Sequence, residues 1–482
     1  MARRHTLLPC ALSILLTASC TVGPDFQPPE VAIPPEYRAA DVLPPVASAP
    51  SFGDLAWDSV FLDPDLQALI HTALAQNYDI QLAATRIQQA HSQVVVARSQ
   101  QFPTLDGSLR APYAGYRGSD RPEGLPENLF EPEAGFDIAW ELDIWGRFRR
   151  NTEAARAELF AREDVQYGVI ATLVAEVANA YVTLRALDRT LQITRRTVDS
   201  RRKSLDLVQA RVEGGVAGIL DVHQAETLLF TATKTVPAVE RQIEETENFI
   251  SILLGQDPGP IKRGHALDHQ IVAPPLPPGL PTELLARRPD IRAAEQQLVA
   301  ANAQIGGARA QLYPQVSLAA FLGGGTTVIE GDELGPYGIF SVLPAVTLPI
   351  FNAGRLRANV AFNEARAQEA ALLYQQTLQQ ALREVSDALI GIRKRREFRQ
   401  QQEQLVTALV NASDIAQLRY EGGVSSYLEV LDSERQLFDA ELDLVLAIRD
   451  EFLSVIQLYR ALGGGWSAAT AVPAATVHEP VK

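Results

Sequence analysis

A mainly α-helical fold with a transmembrane β-barrel element, built from two copies of one half, is the class this sequence predicts. Three observations carry that prediction: a long internal repeat, two proline-free stretches with a helical apolar period, and segments before them that alternate with period two. RVEGGVAGILDVHQAETLLF (211–230) returns 208 residues later as RYEGGVSSYLEVLDSERQLF (419–438), identical at ten of twenty positions. DIQLAATRIQQAHSQVVVARSQQFP (79–103) likewise recurs as DIRAAEQQLVAANAQIGGARAQLYP (290–314), offset by 211. Solenoids repeat at roughly 20–50 residues, so this is a duplicated half-protein, and its function belongs to something made of two similar halves.

The N-terminus sets the compartment. Arg3 and Arg4 precede an apolar run from Leu7 to Leu16, too short to span a membrane as a helix. Ala18 and Ser19 put small residues ahead of Cys20, so residues 1–19 read as a lipoprotein signal peptide and Cys20 as the acylated first residue of the mature chain. Plain secretion after Ser19 is the alternative. Cys10 leaves with the signal, which leaves no pair for a disulfide, so core and assembly must hold the fold. At 46% hydrophobic residues the chain has the material. No later segment offers the ~18 uninterrupted apolar residues of a membrane helix, so any bilayer crossing falls to strands. A net charge of −15 argues against nucleic acid, whose binding needs clustered Lys and Arg.

Proline placement divides the rest of the chain. Residues 24–64 hold nine prolines and read, with Cys20, as a lipidated tether over 20–64. None occurs between Pro132 and Pro237, or between Pro349 and Pro473. An interior proline costs a helix ~3 kcal/mol, so long helices belong in those stretches. Ile170, Val174, Val177, Tyr181 and Leu184 step by 4, 3, 4 and 3, and Leu378, Leu382, Val385, Leu389 and Ile392 repeat the steps. That is the seam of a coiled coil. From Gly146 to Glu213, and again from Gly354 to Glu421, a helix of ~100 Å fits at 1.5 Å per residue. Gly214-Gly215 and Gly422-Gly423 suit left-handed caps and tight reversals, after which helices return over 218–254 and 426–462. The plan is a first repeat at 65–255, a linker at 256–281, a second repeat at 282–462 and a tail at 463–482.

The strands come before each long helix. Phe136, Ile138, Trp140, Leu142 and Ile144 alternate with Asp137, Ala139, Glu141 and Asp143; Val342, Val346, Leu348 and Ile350 form the matching set, weakened by Pro344 and Pro349. Leu105, Leu109 and Tyr113 pair likewise with Val316, Leu318 and Leu322. Strands are expected near 103–117, 134–145, 314–326 and 338–351. One apolar and one polar face over ~10 residues fits a membrane barrel, with a half-buried soluble sheet as the alternative. Four strands cannot close a barrel, and lipid tolerates no open edge. Strands that cross a membrane here must therefore be pooled from several chains.

CTVGPDF (20–26), ELDIWGRFR (141–149), LPTELLARRPDIRAAE (280–295), PIFNAGRLRANV (349–360) and ALGGGW (461–466) resemble the signature blocks of the TolC-like outer-membrane efflux lipoproteins, the OprM/NodT branch. They lie in order along nearly the whole chain. The resemblance implies a homotrimeric channel-tunnel: a twelve-stranded β-barrel in outer-membrane lipid, and a twelve-helix α-barrel crossing the periplasm. A mixed equatorial region would draw on segments near 54–70, 255–285 and the C-terminus. It also implies a periplasmic adaptor (membrane fusion) protein and an inner-membrane RND-type pump as partners, no cofactor, and no catalytic residues.

The hairpin tips are the sharpest candidates. Arg211, Glu213, Gly214, Gly215 and Val216, with Arg419, Glu421, Gly422, Gly423 and Val424, resemble the tip motif that the family's adaptor grips; glycine pairs that merely permit a turn are the alternative. Asp414, Arg419, Tyr420 and Glu421 are the candidates for a periplasmic gate, against solvated helix-end charges of little energetic weight. Asp137, Glu141 and Asp143 are candidates for lining the lumen; alternatively they lie where strand becomes helix and pair with Arg147 or Arg149. Arg287, Arg288 and Asp290 are expected to orient the helix that starts after Pro289 rather than touch cargo.

Other chemistry finds no support. His265 and His269 are four apart but lack a converging acid or cysteine, so no metal site is expected. Gly323-Gly324-Gly325-Thr326 lacks the lysine of a phosphate loop and is expected as an external loop between strands. Neither G-x-S-x-G nor H-E-x-x-H occurs. The rival readings are a secretion duct for peptides or proteins, and a periplasmic coiled-coil adaptor, which needs one hairpin rather than two.

Overall fold

The computed structural model describes residues 21–38, 51–115, 127–267 and 279–466. The expected signal peptide at 1–19, Cys20, His269 and residues 467–482 lie outside the described residues. Two units divide the chain: residues 1–30, 87–162 and 294–374 form one, and residues 31–86, 163–293 and 375–482 the other.

The first unit holds the strands. β1 (Thr104–Arg110) pairs antiparallel with β4 (Glu133–Leu142), β4 with β5 (Gln315–Ile329), and β5 with β6 (Asp332–Thr347). A short hairpin of β2 (Tyr113–Gly115) and β3 (Asn128–Phe130) extends the sheet where Leu129 meets Ile329. The order β1-β4-β5-β6 leaves β1 and β6 with one neighbour each among the described residues. β6 contains Pro336 and Pro344, which supply no N–H group to a ladder.

Register sorts the side chains by face. Leu105 lies opposite Ile138, Phe136 opposite Leu322, and Leu322 opposite Phe340, with Ala320 opposite Val342. One apolar face therefore runs across all four strands. It stays uncovered within the chain: Leu109 and Phe340 are each 82% exposed. The other face carries Ser108, Arg110, Asp137, Ser317 and Ser341. Gly323, Gly324 and Gly325 sit inside β5, which corrects the loop expected there. They occur where backbones come close, as a Cβ at Gly323 or Gly325 would collide with the Ala134 or Pro132 carbonyl.

The segment after Cys20 is seated rather than loose. Val22 N–H donates to the Trp145 carbonyl at 3.0 Å, Asn302 Nδ2 donates to the Pro24 carbonyl at 3.1 Å, and Arg150 pairs with Asp25 at 2.8 Å. Between them Gly23 (φ +114°) lies so close to Gly306 that neither position has room for a side chain.

The second unit is helical and draws on two 67-residue helices, α4 (Arg147–Glu213) and α8 (Arg355–Glu421). Before α4 come α1 (Trp57–Val60), α2 (Pro64–Gln76) and α3 (Tyr78–Ser99). α5 (Ile219–Leu253) follows α4; α6 (Leu284–Arg287) and α7 (Pro289–Ala310) precede β5; α9 (Tyr427–Ala461) follows α8. All five seam residues of α4 are buried. In α8 the seam differs at one step: Ala381 and Ala388 are buried while Leu382 is only half-buried. A 3.6-residue turn drifts against a 4, 3, 4, 3 reading, which moves the buried stripe onto neighbouring alanines. Pro237 lies inside α5 without ending it, since Ala232 before it and Val239 and Ile243 after it are buried and carry the helix across the lost bond. One window of α4 reaches a mean hydropathy of 1.4, but 61% of it is buried within the protein, as a core helix requires.

A buried polar node joins the linker to this unit. Asp63 caps α2 through the Asp65 and Leu66 N–H groups, and its Oδ2 accepts from Tyr181 Oη and the His265 N–H, each at 3.0 Å. Tyr181 Oη in turn accepts from the Gly264 N–H at 2.8 Å. Burial pushes the Tyr181 phenol well above its ordinary range. Arg288 bridges Asp290 (2.6 Å), Glu384 (2.9 Å) and the Ala461 carbonyl (3.0 Å), while the Arg287 carbonyl accepts from Trp466 Nε1 at 3.2 Å. The ARRPDIR and LGGGW blocks thus hold one another in place.

Candidate functional site

Both hairpin tips have one backbone design. At the first, Gly215 (φ +73°) donates to the Val212 carbonyl at 2.9 Å and Val216 donates to Arg211 at 2.9 Å. At the second, Gly423 (φ +74°) donates to Tyr420 and Val424 to Arg419, each at 3.0 Å. These are Schellman caps, which end a helix by turning one residue left-handed. A Cβ at either glycine would meet nothing within 4 Å, so backbone handedness and not crowding selects glycine there. Beside the turns, Val216, Ile219, Leu220, Val424 and Leu428 stand more than half exposed. Two apolar rims flanked by Arg and Glu are thus presented at matching positions.

The tips are tied to each other. Val208, Val222, Ala225, Ala416, Tyr420, Tyr427 and Val430 form one buried cluster drawn from all four long helices. Arg211 closes it, with its guanidinium 4.5 Å from the Tyr420 ring centroid and Nη1 donating to the Tyr420 carbonyl at 3.3 Å. Tyr420 in turn meets Tyr427 edge-on at 5.2 Å. Burial raises the Tyr420 phenol while Arg211 opposes the rise.

The four gate candidates take different places. Tyr420 is 5% exposed, inside the cluster. Arg419 pairs with Glu429 of its own hairpin at 3.3 Å, and Glu421 accepts from Gln417 Nε2 at 2.7 Å. Asp414 and Glu421 line a groove of about 600 Å³ with Arg196, Arg201, Glu434 and Glu441. Arg201 has no charged mate at the equivalent position of the second half, where Leu409 stands, and sequence reasoning passed it over. It is 2% exposed, lies 4.9 Å from the Phe438 ring and donates to the Leu228 carbonyl at 2.8 Å. Glu434 stands 4.0 Å away; burial pushes its carboxyl up while Arg201 opposes.

The three lumen candidates divide likewise. Asp137 pairs with Arg110 at 2.6 Å on the polar face of the sheet. Glu141 pairs with Arg147 at 2.7 Å, and Asp143 caps α4 through the Phe148 and Arg149 N–H groups at 3.0 and 2.9 Å. Trp145 stacks on Tyr313 at 4.8 Å and donates to the Pro314 carbonyl at 2.7 Å. The ELDIWGR block is therefore the fitting where a strand becomes a helix.

Comparison with known proteins places this architecture. The family model of outer membrane efflux proteins matches residues 69–256 and 280–464. The solvent efflux pump outer membrane protein SrpC of Pseudomonas putida is 33% identical over 460 residues, covering 95% of this chain and 98% of that protein. The cation efflux system protein CusC of Escherichia coli is 30% identical over 462 residues, with 95% and 98% covered. The open state of the MtrE outer membrane channel of Neisseria gonorrhoeae superposes with a TM-score of 0.83 at 30% identity, over 92% of this chain and 98% of that one. By sequence along both repeats and by fold, the chain belongs to the outer membrane efflux protein family.

Proposed function

We propose that the protein is the passive exit duct of a tripartite efflux system, carrying drugs and other small toxic organic compounds across the outer membrane. A homotrimer pools twelve strands and twelve long helices. Cys20 carries the lipid that holds the N-terminus to the membrane. The tips at Arg211–Val216 and Arg419–Val424 receive the helical hairpins of a periplasmic adaptor, and an RND-type inner-membrane pump supplies the energy. Asp414, Arg419, Tyr420 and Glu421, acting with the Arg211 contact, set whether the tips stand closed. Asp137 and Glu141 face the lumen.

One observation carries this reading: the uncovered apolar face runs across a sheet whose strands β1 and β6 each have one neighbour among the described residues, leaving their outer edges open. Water penalises such a face, and lipid penalises such edges. Edge-to-edge pairing of chains within a bilayer removes both penalties, as neighbouring strands close the edges and lipid covers the face. SrpC is a solvent efflux protein, which favours organic cargo over peptides or proteins for its relative.

The test is native mass and particle shape of protein extracted from outer membranes in mild detergent. Elongated trimers support the duct. A monomer, or a chain released without detergent, overturns it in favour of a periplasmic coiled-coil adaptor.

A further inference from the structure

Arg149 and Arg156 lie two turns apart on one face of α4, and Arg98 stands in the last turn of α3 beside them. With Gln101, Glu153 and Phe160 they line a groove of about 450 Å³, a volume within the range of small-molecule sites. Arg149 is committed to Asp143 at 3.3 Å, and Glu153 to Arg150 at 2.9 Å. Arg98 and Arg156 are exposed and have no carboxylate partner among the described residues. In a chain of net charge −15, this groove holds two uncommitted cations.

Two contacts give the groove its depth and its side. Trp140, on the apolar face of β4, donates its indole N–H to the Gln101 carbonyl at 3.1 Å, and Gln101 Nε2 reaches Thr152 of α4 at 2.7 Å. The apolar face therefore ends at the groove, where a membrane barrel carries its aromatic girdle. Arg150, whose partner Glu153 lines the groove, also holds Asp25 at 2.8 Å, five residues after Cys20. The groove thus lies beside the segment that bears the proposed lipid. We infer that it takes the phosphate headgroup of an anionic phospholipid from the leaflet on the helical side of the bilayer. Arg98 and Arg156 bind the phosphate oxygens, and Arg149, held by Asp143, adds its charge from the side nearer the strands. Guanidinium forks fit phosphate oxygens in pairs, and basic residues at headgroup depth meet an anionic lipid surface.

This inference rests on the pooled barrel proposed above. Its test is native mass spectrometry of the full lipidated protein in neutral detergent, titrated with dioctanoylphosphatidylglycerol or with zwitterionic dioctanoylphosphatidylcholine. The wild type is expected to hold one glycerol lipid per chain and to bind the choline lipid far more weakly. Arg98→Ala/Arg156→Ala is expected to weaken the first roughly thirtyfold, as two guanidiniums facing anionic lipid imply. Arg241→Ala, at an exposed arginine of α5, is expected to leave it unchanged. Equal binding of the two lipids, or no loss in the double variant, overturns the inference. So does displacement of the lipid by an equal concentration of inorganic phosphate, which would make this a site for free anions. A double variant that no longer assembles would assign the two arginines to a contact between chains and overturn it as well. The same spectra report the mass of the assembly. A wild-type monomer overturns the barrel and this inference with it, whereas a trimer that holds no selective lipid overturns the inference alone.

Discussion

Arg211 of the first repeat lies over the ring of Tyr420 of the second and donates to that residue's carbonyl, so one side chain fastens the two hairpin tips together. The repeat mate of Arg211 does something else, as Arg419 faces Glu429 within its own hairpin. The halves are alike in backbone and different in the bonds that close them.

That contact predicts a local effect. Arg211→Ala is expected to raise amide hydrogen exchange across residues 416–430 about two- to fivefold, which corresponds to the ~0.5–1 kcal/mol of a partly exposed cation–π contact. Exchange that does not change would assign the joint to the apolar cluster alone.

The left-handed turn predicts a specific order of tolerance at Gly423. Placing an ordinary residue there costs roughly 1–2 kcal/mol, asparagine being the exception that accepts this conformation. Gly423→Asn is expected to retain efflux, measured as resistance of cells to an exported organic toxicant. Gly423→Val is expected to lose it while yielding as much trimer. Equal activity of the two variants would show that the cap geometry is irrelevant to docking.

At the Asp63 node, Tyr181→Phe removes one hydroxyl that serves two partners. The Gly264 N–H loses its acceptor and Asp63 loses a donor, at a cost of about 1–3 kcal/mol for a buried unsatisfied group. Thermal melting in detergent should fall, and limited proteolysis should begin within 256–267. A variant as resistant as the wild type would place the anchoring of the linker elsewhere.

Glu434 predicts a pH dependence. Its carboxyl is raised above the ordinary glutamate range by burial, so the folded tip region binds a proton more readily than the unfolded chain. Stability from this group is therefore fully present below the ordinary glutamate range and is lost as pH rises through the raised value. Melting of the tip region should climb as pH falls from neutral toward that range. Glu434→Gln should flatten this slope and match or exceed wild-type stability at pH 7. A slope that survives the substitution would belong to another group.

Much of this was legible in the sequence because it depends on period and repeat. The long helices, their glycine ends and the alternating strands each arise from a few residues that are neighbours in the chain. What escaped depends on partners far away in sequence. Asp63 meets Tyr181 across 118 positions, and Arg201 meets the Glu434 carbonyl across 233. Neither residue carries a local signature. Gly323–Gly325 read as a loop because glycine usually marks one, whereas here it marks strands packed backbone to backbone. Leu382 is the apolar residue the period selects, yet Ala381 takes the buried place as the 3.6-residue turn drifts against the seam. The ELDIWGR block was recognised as a unit, but the division of its acids between a pair with Arg147 and a helix cap needed the geometry.

The free edges of β1 and β6 have a genetic consequence. In the proposed ring, each chain lends one edge to a neighbour and borrows the other, so a seam exists only between chains and never within one. An allele that spoils either edge, by a proline in β1 for example, would do more than disable its own product. Mixed into a cell with the normal allele, it would enter rings with normal subunits and leave each such ring unclosed. Edge-strand alleles should therefore behave as dominant, whereas alleles that unfold the chain before assembly should be recessive.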